Sequence, residues 1–317
     1  MKLNNIELTF ENFANEMAKL KNEKHFDYLV TIIGEDFGEE GLGCIYILEN
    51  TQNNERCSVR TIAKKVDGSD VIPTVTNLWK AADLLEREVF DFVGIKFLGH
   101  PDMRRLFLRT AFVGHPLRKD FDMSPQANKF PLTDEPEDDF TVEYSLDKDG
   151  HLVETKHRLF EEDEYVVNIG PNHPSTHGVL RLQTVIDGET VKRIYPHLGY
   201  IHRGIEKMWE GMTYPQTLAL TDRLNYLSAM MHRHALVGVI EEAMGIELSD
   251  RIHYIRTIMD ELQRIDSHLL FLGCTAQDLG ALTAFLYCMR DREHVLNVME
   301  ETTGGRLIMN YSRIGGL

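Results

Sequence analysis

The 317-residue chain is short of cysteine, of positive charge and of long apolar runs, and each shortage excludes something. Its four cysteines, Cys44, Cys57, Cys274 and Cys288, stand singly, with no C-x-x-C pair and no spacing that reads as a zinc or iron–sulfur framework. They read as reduced thiols packed as small hydrophobes. Lys and Arg number 34 against 50 Asp and Glu, a formal charge of −16. That balance argues against nucleic acid, because counterion release needs clustered cations. The longest apolar runs, on either side of Asp278, reach about a dozen residues before a charge, short of the roughly 20 that a membrane-spanning helix requires. The opening Met-Lys-Leu-Asn-Asn-Ile-Glu has no apolar signal core, so the chain is expected to stay in the cytoplasm. No repeat is evident at solenoid periods. A content of 43% hydrophobic and 26% charged residues excludes disorder and collagen-like repeats.

The charge that is present falls unevenly. Residues 131–165 hold 13 acidic against 3 basic side chains, so this stretch carries −10 of the total −16. With a turn signal at Lys148-Asp149-Gly150 and no apolar period, 131–164 reads as an acidic linker between bodies at 1–130 and 165–317. The first body opens with an amphipathic helix near Glu7 to Asn22. Strand-like runs rich in β-branched residues follow at 28–33, 43–48 and 57–63. Asn77 is a plausible N-cap for a helix carrying Leu78, Trp79, Ala82, Leu85 and Phe90.

The second body begins with a strand at 165–169. A hairpin follows whose arms, Val179 to Ile186 and Val191 to Tyr195, join through Asp187-Gly188. From Pro215 the period becomes helical. One helix is expected from Pro215 to Met244, ending at Gly245. Another starts from Ser249 as N-cap, with Ile252, Ile255, Met259, Leu262, Ile265 and Leu269 on one stripe. A third runs from Asp278 to about Thr303, before Gly304-Gly305. The expected fold is therefore α+β: a small N-terminal sheet domain, a short β-hairpin region and a bundle of long helices.

The densest chemistry lies in Gly170-Pro-Asn-His-Pro-Ser-Thr-His-Gly178. His173 and His177, four apart, would share a face only on a helix, where they could serve a metal; Pro171, Pro174 and Gly178 oppose that helix. A proline-stiffened binding loop with two imidazoles remains, beside the plainer reading of histidines that brace the loop. His232 and His234, two apart on a helix, point to different sides and read as structural or exposed.

Six ordered blocks carry a resemblance: 168–182 around that loop, Pro196-His-Leu-Gly-Tyr-Ile-His-Arg-Gly-Ile-Glu-Lys207, Asp222-Arg-Leu-Asn-Tyr226, Ser267-His-Leu-Leu-Phe-Leu-Gly273, Asp278-Leu-Gly-Ala-Leu282 and Tyr311-Ser-Arg-Ile-Gly-Gly316. They resemble the hydrogenase-type large subunit, termed D, of NADH:quinone oxidoreductase, respiratory complex I. The first body is similar to the C subunit of that complex through Glu86-Arg-Glu-Val-Phe-Asp-Phe-Val-Gly94 and Phe97-Leu-Gly-His-Pro-Asp-Met-Arg-Arg105. The acidic segment then joins a C/D fusion.

The resemblance implies that the second body helps to form a quinone chamber beside the terminal iron–sulfur cluster of the neighbouring B subunit. His177 and Tyr226 would donate hydrogen bonds to the two quinone carbonyls, and Asp278 would pair with the His177 imidazole. His173, Thr176 and Arg223 would lie at the quinone site or near the partner's cluster. Arg223 sits three residues before Tyr226, on the same expected helix and nearly the same face; a plain surface ion pair is the alternative. Glu86, Arg87, His100, Arg104 and Arg105 read as docking or fold-bracing groups. The quinone is the substrate, menaquinone or ubiquinone, and this chain would hold no metal. Iron–sulfur clusters, FMN and the NADH site would belong to partner subunits. Implied partners include the B and I subunits and the membrane-embedded H subunit, which would keep the chain at the cytoplasmic side of the inner membrane.

Departures from the pattern carry information as well. The two C-x-x-C pairs of hydrogenase large subunits are absent, so no nickel–iron centre is expected. Asn225 stands where many relatives have Asp. Ile308 and Met309 stand where some carry a His, which points toward a low-potential quinone such as menaquinone. By this resemblance the chain stops short of the C-terminal part of the D subunit. Two rival readings remain: a non-catalytic assembly scaffold of the same type of complex, and a His-dependent metalloenzyme.

Overall fold

The computed structural model describes residues 4–124, 140–161 and 163–317, which fall into two compact units, 1–204 and 205–317. The first is built from sheets with two helices, the second from helices.

In the first unit, β1 (Asn4–Leu8), β2 (Tyr28–Asp36), β3 (Leu42–Asn50) and β4 (Glu55–Ile62) form a sheet in the order β1-β4-β3-β2. β1 runs parallel to β4 and the other neighbours are antiparallel. Period-two alternation in β3 buries Cys44, Tyr46 and Leu48, opposite Thr61, Val59 and Cys57 of β4. The first helix, α1 (Phe10–Asn22), starts where the Thr9 amide donates to Asn12 Oδ1 at 2.9 Å. It buries Phe13, Met17 and Leu20, spaced to share one face, and the Phe13 ring lies 5.2 Å from Tyr46.

A second sheet, in the order β5-β6-β7-β8-β9, holds β5 (Lys64–Val66), β6 (Ser69–Pro73), β7 (Lys96–Leu98), β8 (Phe140–Leu146) and β9 (Leu152–Arg158). β6 and β7 are parallel, joined by a crossover through α2 (Ala82–Val93). α2 begins at Ala82 rather than at the expected Asn77. Val75 to Lys80 instead form turns in which the Val75 carbonyl accepts from the Leu78 and Trp79 amides, and Trp79 is a core anchor with its indole N–H on Phe26 O. The helix closes at Gly94 in a left-handed conformation (φ 86°), where an added Cβ would lie 2.5 Å from the His115 ring.

Within the acidic stretch read as a linker, residues 140–158 form the hairpin β8–β9, turning at Asp147–His151 around Gly150. Charge alone did not reveal this, because the short alternation of Phe140, Val142 and Tyr144 sits inside a run dominated by acids on both sides. Residues 131–139 and 162 lie outside the described residues.

The third sheet of this unit is the meander β10 (Tyr165–Ile169), β11 (Arg181–Asp187) and β12 (Thr190–His197). β11 and β12 join at Asp187-Gly188 as the turn chemistry predicts. Leu159, Phe160 and Val185 form its small core with Val166 and Tyr195.

The second unit contains α3 (Ile205–Trp209), α4 (Tyr214–Thr221), α5 (Ala229–Met244), α6 (Asp250–Asp278) and α7 (Leu282–Thr303). The helix expected from Pro215 to Met244 is two helices, broken at 222–228. Gly245 and Gly304 close α5 and α7 as expected. Asp278 ends α6 instead of opening α7. Where α6 meets α7, Gly273 has no Cβ, and one built there would stand 3.2 Å from Cys288 Cβ. The apolar core of this unit is small: Met230, Met259, Met299 and Met309, with Ile255, Leu262, Val295 and Tyr311 against them. Ile265, expected on the inward stripe, is 50% exposed. The inward positions of α6 carry Arg256, Gln263 and Asp266 as well as Met259. No helix among the described residues is long and apolar enough to cross a membrane.

Candidate functional site

The loop from Gly170 to Gly178 connects β10 to β11 and is built to hold its shape. Gly170 has φ 91°, and a Cβ there would fall 2.0 Å from the Leu180 carbonyl oxygen, so the strands can close beneath the loop only with glycine. Pro174–Thr176 make one 3₁₀ turn. His173, extended before it, accepts the Ser175 amide on Nδ1 at 3.2 Å, with Ser175 Oγ 2.6 Å from the same nitrogen. The Thr176 hydroxyl donates to the His173 carbonyl at 3.0 Å, with the Gly178 carbonyl at 3.2 Å as a second acceptor. His177 closes the turn in the left-handed region at φ 49°. Below, the buried Arg181 donates from Nε and Nη2 to Asn168 Oδ1 at 3.1 and 2.9 Å, tying β11 to β10. His173 and His177 are both exposed and flank a turn rather than sharing a helical face. Among the described residues no three His, Cys, Asp or Glu are placed to hold a metal ion.

In the second unit the break between α4 and α5 carries Arg223, Asn225 and Tyr226. Asn225 is extended and its side-chain oxygen accepts the Leu227 amide at 3.1 Å, which starts a 3₁₀ turn at Tyr226–Ser228. Tyr226 is 55% exposed. Arg223 lies in the break, not on a helix shared with Tyr226, and folds back to donate from Nη1 to the Ala219 carbonyl at 2.7 Å. The turn bearing Tyr226 packs against α6, the helix that ends in Asp278. His177, Thr176 and His173 thus share one loop of the first unit, and Arg223 and Tyr226 share one break of the second. The expected partition of His232 and His234 holds as well. His232 Nδ1 is 3.0 Å from the Ser228 carbonyl, while His234 Nδ1 is 2.6 Å from Asp260 Oδ2.

The sequence reading missed the buried charges that anchor these segments. Arg233, 4% exposed, donates to the Leu218 carbonyl at 2.9 Å and the Ser312 carbonyl at 2.6 Å, and its Nη1 is 3.7 Å from Asp222 Oδ2. Burial pushes the Asp222 carboxyl above its ordinary range, against the opposing pull of Arg233. Arg256, 1% exposed, makes a two-pronged pair with Glu241 at 2.8 and 2.9 Å and also donates to the Arg313 and Gly316 carbonyls. The Gly315 amide completes the clamp on Glu241 at 2.7 Å. Asp266 meets Arg292 Nε at 2.8 Å between α6 and α7, its carboxyl likewise raised by burial. The available signal was spacing: Arg256, Gln263 and Asp266 recur at helical intervals beside Met259, inside the stripe.

In the first unit the quoted motif residues brace the fold. Asp91, fully buried, accepts the Leu106, Phe107 and Leu108 amides on Oδ2 and Arg105 Nη1 on Oδ1. Arg87 donates to the Arg104 and Arg105 carbonyls, and Arg104 pairs with Asp102 at 2.7 Å. Glu86, fully buried, accepts Thr74 Oγ1 at 2.6 Å and the Val75 amide at 2.8 Å. Burial pushes its carboxyl up to about 8. His100 lies 4.0 Å away and is itself shifted down by burial.

Two known families match stretches of this chain. Residues 6–127 match the family described as respiratory-chain NADH dehydrogenase, 30 Kd subunit, and residues 278–317 match the 49 Kd subunit of the same enzyme. The chain is 55% identical over 312 residues to the NADH-quinone oxidoreductase C/D subunit of Phocaeicola vulgatus, covering 98% of this chain and 60% of that protein. It is 54% identical to the C/D subunit of Bacteroides fragilis, over 96% of this chain and 59% of that protein.

The chain belongs to the family of fused C/D subunits of NADH-quinone oxidoreductase. A more distant relative, the C/D subunit of Aquifex aeolicus that bears the number 2, is 40% identical over 96% of this chain and 54% of that protein. The chain therefore spans about 60% of the length of the most similar of these three C/D proteins. Its mixed architecture of sheets and helices accords with such a C/D protein, a component of respiratory electron transport.

Proposed function

We propose that this C/D chain works in NADH:quinone oxidoreduction as part of a peripheral arm, and that its D-like part, from 165 onward, lines the chamber where quinone is reduced. Residues 131–164 join it to the C-like part at 1–130, and the helical unit belongs to the hydrogenase-type portion. Quinone reduction consumes two electrons and two protons per quinol formed. The electrons arrive from an iron–sulfur cluster of a partner, the B subunit. The remaining demand is for hydrogen-bond donors at the two carbonyl oxygens as negative charge develops there. His177 and Tyr226 fill that role, with Asp278 as the third residue of the proposed set. His173, Thr176 and Arg223 shape the surroundings of these donors.

The observation that carries this reading is the way both donors are presented. The imidazole sits at a left-handed corner of a loop braced by Thr176 and Arg181, and the phenol reaches solvent at a helix break set by Asn225. Sites of this kind need donors held by supporting contacts rather than by chance. The C-like part at 1–130 we assign to assembly, because its motif side chains are engaged in internal bracing. The I and H subunits, FMN and the NADH site belong to the rest of the complex, which holds the chain at the membrane and couples the reaction to ion movement. Photolabelling of the assembled complex with a quinone analogue tests the proposal. Label on Tyr226 and His177 that excess quinone prevents is expected. Label that quinone does not displace would favour a scaffold.

A further inference from the structure

The residues around Tyr226 raise a question that the donor role leaves open: what keeps residues 222–228 from continuing the helix. The apolar and helix-forming residues on both sides favour a single helix, and that is how the sequence reads. Asn225 supplies a local reason, since its side chain caps the following turn. The stronger restraint comes from α5. Arg233 reaches back across the break, and its Nη1 donates to the Leu218 carbonyl at 2.9 Å, an acceptor near the C-terminal end of α4. The same nitrogen faces Asp222 Oδ2 at 3.7 Å, the residue directly after α4. Its Nε donates to the Ser312 carbonyl at 2.6 Å, in the segment that Arg256 and Glu241 clamp from the other side. Asp222 and Arg233 are 3% and 4% exposed, so neither is free to exchange its partners for water. One guanidinium thus fixes the end of α4, the start of the break and the C-terminal segment at once.

We propose that Asp222 and Arg233 are positioning residues that hold the helix break open and thereby set the place of the Tyr226 phenol. The inference rests on the quinone-site reading and adds to it the device that aims one of its donors. Neither residue touches the quinone. Their effect on turnover passes through Tyr226, and that makes the inference separable from a general loss of stability.

The test is a double-substitution cycle in the assembled complex, using Asp222→Asn, Arg233→Lys and Tyr226→Phe. Turnover is measured with a short-chain quinone and, as a control, as NADH oxidation by an artificial acceptor that bypasses the quinone. Amide hydrogen exchange is followed across 214–244. Asp222→Asn is expected to lower quinone kcat/KM about ten-fold with the control rate unchanged, since small misplacements of a reacting group are costly. In the Tyr226→Phe background the same substitution should have no further effect, and Arg233→Lys should lie between wild type and Asp222→Asn. Exchange should rise at 222–228 and not in the body of α5. Equal losses in both backgrounds, a parallel loss of the control rate, or unaltered exchange at 222–228 would overturn the proposal. If Tyr226→Phe alone leaves quinone turnover intact, the quinone-site reading fails and this inference fails with it, even where the exchange result shows the break to be anchored.

Discussion

Replacing Glu86 by Gln should stabilise the first unit, and only above acid pH. Glu86 is fully buried and meets no cation among the described residues: His100, 4.0 Å away, is pushed toward its neutral form by burial, and the nearby Asp83 raises the carboxyl further. Its carboxyl lies at about 8 in the fold against an ordinary 4.5. Between those values the folded chain holds a proton that the unfolded chain has released, so stability falls as pH rises through the window. At about 1.4 kcal/mol per pH unit, the loss from pH 4.5 to 8 is on the order of 5 kcal/mol. Glutamine has nearly the same shape and no charge to release. Its oxygen can keep the Val75 amide bond, and its amide can donate to the Thr74 hydroxyl, which then turns to Thr76 Oγ1 at 2.9 Å. The assay is urea unfolding followed by Trp79 fluorescence in a Trp209→Phe background, at pH 5 and pH 8.5. Wild type and variant should agree within about 1 kcal/mol at pH 5 and differ by about 3 to 5 kcal/mol at pH 8.5, the variant being more stable. A difference that does not change with pH would refute the reasoning.

Two further substitutions probe the other supports. Asp91→Ala leaves three backbone amides and Arg105 without their shared anion. Bonds to a charge contribute about 1.5 to 3 kcal/mol each but do not add fully, so a loss of about 4 kcal/mol is expected in the same urea assay, and a loss below about 1 would contradict the assignment. Gly170→Ala places a methyl group against the Leu180 carbonyl and must displace the His173–His177 loop. Quinone turnover of the assembled complex should fall about ten-fold or more with artificial-acceptor activity intact, whereas equal turnover would show that the loop does not serve the quinone.

Local chemistry made much of the architecture legible. The period-two runs became β2, β3 and β4, Asp187-Gly188 marked the β11–β12 turn, and Gly245, Ser249 and Gly304 bounded the long helices where expected. Interruptions imposed by distant partners could not be read locally. Nothing in Asp222-Arg-Leu-Asn-Tyr226 announces that an arginine seven residues further on will cap the helix before it. Nor does the run at Asn77 reveal that its turns are fixed by Glu86 through Val75 and Thr74. The candidate loop was found because Pro171, Pro174 and Gly178 exclude a helix, a constraint that travels with the residues themselves. The buried pairs Glu241–Arg256 and Asp266–Arg292 escaped because charged residues on a helix are ordinarily solvent-facing, and only packing shows which of them turn inward.

The central claim is that the Tyr226 phenol donates to the quinone as it is reduced. Quinone turnover by the assembled complex carrying Tyr226→Phe, normalised to NADH oxidation by the artificial acceptor, addresses it most directly. The account predicts a loss of about 100-fold, the lower end of what a placed proton donor contributes. Turnover equal to wild type would contradict it.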